Sequence, residues 1–481
     1  MRSRIYRTCL TLMLGVLGLT TGASAAERPH IVLVMADDQG WGETSYNGHP
    51  ILKTPNLDAM AESGLRFDRF YASAPVCSPT RASVLTGRTN NRTGVESHGF
   101  ALRLQEKTLP QALAKAGYRC GHFGKWHLNG LRGPGVPILK SDDHNPGEFG
   151  FHEWLSVTNF FDRDPILSRK GKFEEHNGDS SEIVVDEALK FIEAEAKQGK
   201  PTFTVIWFGT PHSPFRAAED DMNEFAELDQ QSKNHYGELV ALDRSVGTLR
   251  AKLRELEIAD NTLFWYCSDN GGLPKITPET VGGLRGFKGS LYEGGLRVPG
   301  IIEWPVQIKA GRTTDYSAGV VDIFPTIAEL LELDESSMLR PQDGLSLAPL
   351  IRNELPEGTM RDKPLVFNCF GESAIISKNL KLLQLGRGKS AKKQRYEVYD
   401  LSTDGNETKN IYSRNDNAAL RDMMLKFQKS LAQSIAGQDY PESKVREGEP
   451  EPRFWTDVEA YRVYFDDWRD RPEYASRLKD K

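Results

Sequence analysis

Two neighbouring carboxylates, Asp37 and Asp38, follow a short apolar run and lead into Gln39-Gly40-Trp41-Gly42. Adjacent strand residues point to opposite faces, so both carboxylates converge only if the chain turns there, which the glycines permit. Far along the chain, Ser268-Asp269-Asn270-Gly271-Gly272 follows another apolar run and offers a carboxylate and a carbonyl oxygen. If both runs are strands of one α/β sheet, the four side chains Asp37, Asp38, Asp269 and Asn270 meet at its carboxyl edge, where such folds bind ligands. Oxygen donors suit a hard cation, with Ca²⁺ the first choice and Mg²⁺ the second. Either pair alone reads as a turn or a helix cap, and only the pairing carries the metal reading.

The segment Cys77-Ser78-Pro79-Thr80-Arg81-Ala82-Ser83-Val84-Leu85-Thr86-Gly87 predicts a helix with proline in its first turn and a stop at Gly87. Cys77 then sits at the amino end, where free N–H groups and the helix dipole favour anions, and Arg81 lies one turn further along the same face. A capped helix with a buried cysteine is the structural alternative. The run resembles the signature of the type I sulfatases, Cys-x-Pro-Ser/Thr-Arg followed by a stretch like Ala-Ser-x-Leu-Thr-Gly, and matches it throughout. In that family a separate formylglycine-generating enzyme oxidises the cysteine. The resemblance therefore implies that Cys77 becomes an aldehyde, that its hydrate supplies the attacking hydroxyl, and that its oxygen joins the four side chains around the cation.

Further blocks extend the resemblance over nearly all of the mature chain. Gly124-Lys125-Trp126-His127-Leu128 is similar to the family's lysine and histidine pair, and in an extended segment those two side chains face the same way. Thr210-Pro211-His212-Ser213-Pro214 resembles the block with the second histidine, and Gly286-Phe287-Lys288-Gly289-Ser290 resembles the start of the glycine-rich loop with the second lysine. Tyr399-Asp400-Leu401 with Asp404 and Glu407 is similar to the family's carboxyl-terminal sheet. The implied roles are charge stabilisation on the sulfate by Lys125, Lys288 and Arg81, protonation of the leaving alcohol by His212, and release of sulfate by His127 acting as base.

The implied activity is that of a sulfuric ester hydrolase acting on sulfate monoesters. Two readings compete: a phosphodiesterase or phosphonate monoester hydrolase of the same superfamily, and a non-catalytic protein that binds sulfated glycans if Cys77 stays a thiol. Sulfated carbohydrate is the expected substrate, with galactose or N-acetylgalactosamine sulfates as the first guess. Specificity is expected from the loops around His98, from residues 130–164 with Asp142, Asp143 and His144, and from the segment after Pro214.

The elements that must position these residues are legible as alternating patterns. Apolar runs at 31–35, 118–123, 203–208, 263–267 and 300–303 read as buried parallel strands. Helical periodicity is clearest over 235–258, where Leu239, Leu242, Val246, Leu249 and Leu253 recur at steps of three and four. Further helices are expected at 56–63, 109–116, 182–196 and 323–331. The fold class is α/β, with a large mostly parallel sheet sandwiched by helices, which the resemblance makes alkaline-phosphatase-like. Short runs at 365–368, 373–377, 380–385 and 397–401, then a helix at 418–432, predict a smaller antiparallel sheet packed with one helix. Gly388-Lys389-Ser390 with Lys392, Lys393 and Arg395 reads as a solvated hairpin tip and not a P-loop. The units expected are a signal peptide at 1–26, a catalytic domain at 27–355, a carboxyl-terminal subdomain at 356–440 and a surface-wrapping tail at 441–481.

The 481-residue chain sets 61 basic against 67 acidic residues, for a net charge of -6, which argues against a polyanion-coating surface and against nucleic acid as partner. Arg2, Arg4 and Arg7, the apolar run 9–19 and Ala23-Ser24-Ala25-Ala26 make the pattern of a secretory signal, with cleavage expected after Ala25 or Ala26. That run is shorter than the ~20 residues that span a bilayer, so an exported protein, periplasmic or secreted and without a transmembrane segment, is expected. Cys120 and Cys267 lie in apolar runs and read as small buried core residues.

Overall fold

The computed structural model describes residues 28–386, 394–440 and 451–479. The signal segment and the hairpin tip at Gly388 to Ser390 lie outside the described residues. The main sheet has ten strands: β1 (His30–Ala36), β2 (Leu65–Phe67), β3 (Arg119–Lys125), β4 (Glu153–Val157), β5 (Ile166–Arg169), β6 (Lys172–Glu175), β7 (Thr202–Trp207), β8 (Thr262–Ser268), β9 (Gly300–Glu303) and β10 (Arg312–Thr314). Their spatial order is β10-β2-β9-β8-β1-β7-β3-β4-β5-β6.

At the centre, β1 runs parallel to β8 and β7, β7 parallel to β3, and β3 parallel to β4. Alternation splits β1 between two cores: Ile31, Leu33 and Met35 enter one, while Val32, Val34 and Ala36 enter the other. Both faces are apolar because both are covered. The covering helices are α1 (Pro55–Ser63), α2 (Cys77–Thr86), α3 (Leu109–Lys115), α4 (Ser180–Ala196), α5 (Gln230–Glu255) and α6 (Ile323–Leu330). Leu85, Leu113 and Phe324 close the first core from α2, α3 and α6, and Leu57, Val184 and Leu242 close the second from α1, α4 and α5. No helix among the described residues is long and apolar enough to cross a membrane.

One strand runs against expectation. Residues 300–303 read as parallel, yet β9 is antiparallel to β8, with Phe264 opposite Glu303 and Cys267 opposite Gly300. A parallel return needs a crossover to the far end of the sheet. Between Ser268 and Gly300 the chain holds a single short helix, Glu293–Leu296, and stays at the carboxyl edge, where it builds the site.

The smaller sheet is antiparallel in sequence order: β11 (Leu365–Cys369), β12 (Glu372–Ser377), β13 (Leu380–Leu385) and β14 (Arg395–Asp400). Its outer face packs Ile375, Leu382 and Val398 against Leu420 and Met424 of α7 (Ala418–Ile435). Its inner face packs Phe367, Leu383 and Tyr399 against Leu291 and Leu296, so this sheet backs the glycine-rich loop. The tail is more than a wrap: Arg453–Phe454 pairs in parallel with Leu131–Arg132, and Trp455, Tyr461, Trp468 and Tyr474 form a buried cluster with Val136 and Ile166.

Candidate active site

In-register pairing of β1 and β8 sets Ala36 opposite Ser268, which delivers Asp37, Asp38, Asp269 and Asn270 to one edge, all fully buried. The Asp37 amide donates to the Thr210 carbonyl at 3.0 Å, and the Asp38 amide to Asp269 Oδ1 at 3.1 Å. Asp38 makes the turn itself, at a left-handed φ of 74°, a conformation that aspartate visits more readily than most residues. The glycines serve close approach instead. A Cβ on Gly40 would lie 2.1 Å from the Thr280 carbonyl oxygen and 2.9 Å from Gly272 Cα, so only glycine lets the two loops lock together.

Each carboxylate has a basic partner. Lys125 pairs with Asp37, Lys288 Nζ lies 2.6 Å and 2.7 Å from the two oxygens of Asp38, and Arg81 Nη2 lies 2.7 Å from Asp269 Oδ2. Arg81 also donates to the Lys125 carbonyl at 3.0 Å, and Asn270 Nδ2 donates to Asp38 Oδ1 at 2.8 Å. Burial pushes the Asp37 carboxyl up, but Lys125, His212 and Arg81 outweigh it and hold the group well below the usual range. Asp269 shifts the other way, because burial and the Asp37 charge together exceed the pull of Arg81. Asp37 Oδ1 and Asn270 Oδ1 are buried and accept no hydrogen bond from the protein. Carboxylate oxygens of Asp37 and Asp269 and Cys77 Sγ all lie within 4.8 Å of one another. Buried oxygens left without donors are the kind of set a hard divalent cation satisfies.

Cys77 is the first residue of α2, after an extended Val76, and the helix stops at Gly87, whose φ of 67° lets its amide reach the Ser83 carbonyl. Its sulfur lies 3.3 Å from His127 Nδ1. Lys125 ends β3 and His127 follows with a left-handed φ of 54°, yet the two side chains converge, on an Asp37 carboxylate and a Cys77 sulfur that lie within 4.8 Å of each other. Lys125 descends to Asp37, Trp126 stacks on Trp207 at 6.1 Å, and His127 faces Cys77. Burial holds the His127 ring well below its ordinary pKa, with Lys125 and Arg81 acting the same way. Burial raises the Cys77 thiol against the opposing pull of Lys125 and Lys288, so ring and thiol meet uncharged.

His212 stacks on Phe160, with ring centroids 4.6 Å apart and planes 10° from parallel. Its Nδ1 donates to the Ser213 carbonyl at 2.5 Å, which leaves Nε2 facing Asp38 Oδ2 at 3.8 Å. Burial and the Lys288 charge bring its pKa down to about 4, against the opposing charges of Asp38 and Asp37.

A cleft of about 670 Å³ opens above Cys77, and His127, His212 and Lys288 line it. Arg81 and Lys125 are fully buried beneath its floor. Of the loops expected to set specificity, His98, Phe160 and Pro214 reach the cleft. Asp142, Asp143 and His144 are not among its lining. Asp142 accepts from Asn129 Nδ2 at 2.8 Å and the His144 carbonyl accepts from Trp126 Nε1 at 2.7 Å, so this stretch braces the Trp126 turn. Sequence reasoning misses the tail, which contributes Phe454 and Arg477 to the cleft. Its only signal is a density of aromatics in a polar segment.

Residues 29–333 match the family model described as Sulfatase, and residues 286–435 match N-sulphoglucosamine sulphohydrolase, C-terminal. The chain belongs to the sulfatase family. This sulfatase is 33% identical over 391 residues to N-acetylgalactosamine-6-sulfatase of Mus musculus, covering 74% of this chain and 72% of that protein. It is 31% identical over 374 residues to arylsulfatase A of Homo sapiens, covering 70% of each. The sulfatase shares its fold with the crystal structure of Ps i-CgsB in complex with k-i-k-neocarrahexaose, at 24% identity and a TM-score of 0.73 over 94% of this chain and 100% of that one. It is a sulfuric ester hydrolase, and its fold is the alkaline-phosphatase-like sandwich.

Proposed function

We propose that this sulfatase removes sulfate from sulfated carbohydrates, galactose or N-acetylgalactosamine sulfates first among them, and that it uses Cys77 after oxidation to formylglycine by a separate enzyme. The observation that carries the reading is the convergence on one buried sulfur of His127 at 3.3 Å and of an oxygen-rich floor tied down by Lys125, Arg81 and Lys288. An unmodified thiol here is buried and uncharged, a poor nucleophile.

Sulfate esters hydrolyse slowly because a weak nucleophile must reach a sulfur screened by oxygens while a poor alkoxide leaves, so the site has to supply charge and protons. Asp37, Asp38, Asp269 and Asn270, with an oxygen at position 77, would hold a divalent cation, Ca²⁺ ahead of Mg²⁺, which lends positive charge to the sulfate and the nucleophile. As a hydrate, the aldehyde offers one hydroxyl for attack and a second whose deprotonation releases sulfate. Lys288, on the cleft wall, stabilises negative charge on the sulfate oxygens. Lys125 and Arg81 act from below, fixing Asp37 and Asp269 and offsetting their charge. His127 is kept neutral by burial, which is the state a base requires, and its Nδ1 is the atom that faces position 77. His212 lines the cleft with its Nε2 3.8 Å from Asp38 Oδ2 and is assigned the proton for the leaving alcohol; an arriving sulfate raises its pKa by adding negative charge nearby. The basic, apolar and alanine-rich order of residues 1–26 supports export to the periplasm or the medium.

The test combines the intact mass of the Cys77 peptide with assays on sulfated sugars and on sulfate and phosphate esters of one alcohol. The expected result is an aldehyde mass, preference for the sulfate ester and release of sulfate from the sugars. A thiol at position 77 in fully active enzyme refutes the nucleophile. An aldehyde enzyme that cleaves aryl sulfates and no sulfated sugar refutes the substrate.

A further inference from the structure

The cleft has a second wall, and the carboxyl-terminal tail builds it. Pairing of Arg453–Phe454 with Leu131–Arg132 sets Phe454 beside Arg132. The helix Pro472–Leu478 is anchored by Tyr474 and Leu478 in the buried aromatic cluster, and it holds the Arg477 guanidinium 4.3 Å above the Phe454 ring. Arg132 crosses the backbone of Gly99, where a Cβ would lie 2.7 Å from its Cγ, and the Gly99 amide in turn donates to Ser78 Oγ at 2.8 Å. Arg132 is thus one backbone layer away from the residue that follows Cys77. Both arginines line the same cleft as Cys77.

Their charge is not spoken for. The basic groups on the floor each engage a carboxylate, whereas Arg132 and Arg477 have no ion-pair partner among the described residues, and Arg132 Nε is buried without any hydrogen-bond acceptor. The acidic residue of that wall, Glu473, is engaged by Arg471 Nε at 2.6 Å. Unpaired guanidinium groups in a partly enclosed cleft bind oxyanions through planar, paired N–H donors, and a Nε buried without an acceptor is a cost that a bound oxyanion removes.

We propose that Arg132 and Arg477 form a subsite for a second anionic group, a carboxylate or sulfate on the sugar next to the one being desulfated. The preferred substrate is then a unit within a polyanionic glycan and not an isolated sulfated monosaccharide. This inference rests on the sulfated-carbohydrate reading above.

The experiment compares three disaccharides ending in 6-sulfated N-acetylgalactosamine: one with a neighbouring uronate, one with a neighbouring sulfated hexose and one with a neutral hexose. For each, kcat/KM is measured with the aldehyde-bearing enzyme and with Arg132→Gln, Arg477→Gln and Arg477→Lys. The ratio of anionic to neutral substrate is expected to fall about tenfold in each glutamine variant, mainly through KM, and to recover in part with lysine. A fall confined to the uronate assigns the subsite to carboxylate, and one confined to the disulfated compound assigns it to sulfate. An unchanged ratio in both glutamine variants, with all three substrates turned over, overturns the subsite and leaves the sulfatase reading standing. Turnover of an aryl sulfate but of none of the three disaccharides overturns the 6-sulfated N-acetylgalactosamine substrate and the subsite with it.

Discussion

Lys381 and Glu293 form a fully buried ion pair at 2.9 Å, joining the carboxyl-terminal sheet to the end of the glycine-rich loop that carries Lys288. Glu407 lies 3.0 Å from the same ammonium and accepts the Glu293 backbone amide, and Tyr71 donates to Glu293 at 3.0 Å. The smaller sheet thus braces the loop by electrostatics as well as by the packing of Leu291 and Leu296.

Removing the Lys381 ammonium takes the nearest counter-charge from two buried carboxylates, Glu293 and Glu407. Lys381→Met is expected to cost about 3–5 kcal/mol. Thermal melts should show the drop, and activity at a temperature below both melting points should fall with it as Lys288 loses its support. The double variant Lys381→Met with Glu293→Gln should recover part of the loss, and a strictly additive result would contradict the coupling.

Gly40 and Thr280 press together the two loops that carry Asp37–Asp38 and Asp269–Asn270. A side-chain carbon at position 40 would sit 2.1 Å from a carbonyl oxygen, so the backbone has to move to admit one. Gly40→Ala should destabilise by about 1–3 kcal/mol and should shrink the rise in melting temperature that the proposed Ca²⁺ site is expected to give the parent. A variant with the parent's melting temperature and the parent's Ca²⁺ response would remove this glycine from the account.

His49 gives the fold an acid-side weakness. Its Nδ1 accepts the Leu52 amide at 2.7 Å and its Nε2 meets the Tyr236 hydroxyl at 3.2 Å, an arrangement made for a neutral ring. Burial, aided by the charge of His235, lowers its pKa from 6.5 to about 4. The unfolded chain takes up this proton first, so the stabilising contribution is whole above pH 6.5 and is lost as pH falls towards about 4. Denaturation midpoints measured across that window should fall less steeply for His49→Gln than for the parent. Identical slopes would show that His49 does not titrate in this way.

The central strands are legible in the sequence because burial on both faces leaves uninterrupted apolar runs, as at His30–Ala36 and Thr262–Ser268. The smaller sheet is legible through its turns. The direction of β9 is not, since it depends on whether the preceding chain crosses the sheet, and nothing in Gly300–Glu303 records that. Nor can residue type reveal that Asp38 and His127 adopt left-handed backbone, which decides where each side chain points. Motif order names Arg81 and Lys125 but cannot place them below the floor, because depth is set by neighbours such as Trp207, whose ring lies 5.1 Å from the Arg81 guanidinium. The tail reads as a surface wrap because the partners of Trp455, Val136 and Ile166, lie far away in sequence.

Position 77 is proposed to work as an aldehyde hydrate whose second hydroxyl, deprotonated by His127, releases sulfate. The most direct measurement is the mass of the Cys77→Ser variant after incubation with a sulfated substrate, alongside its steady-state rate. With one hydroxyl and no second to deprotonate, the serine enzyme should either accumulate sulfate on residue 77 or turn over at least about a hundredfold more slowly than the aldehyde enzyme. Turnover at the parent's rate, with no sulfated protein detected, would contradict the account.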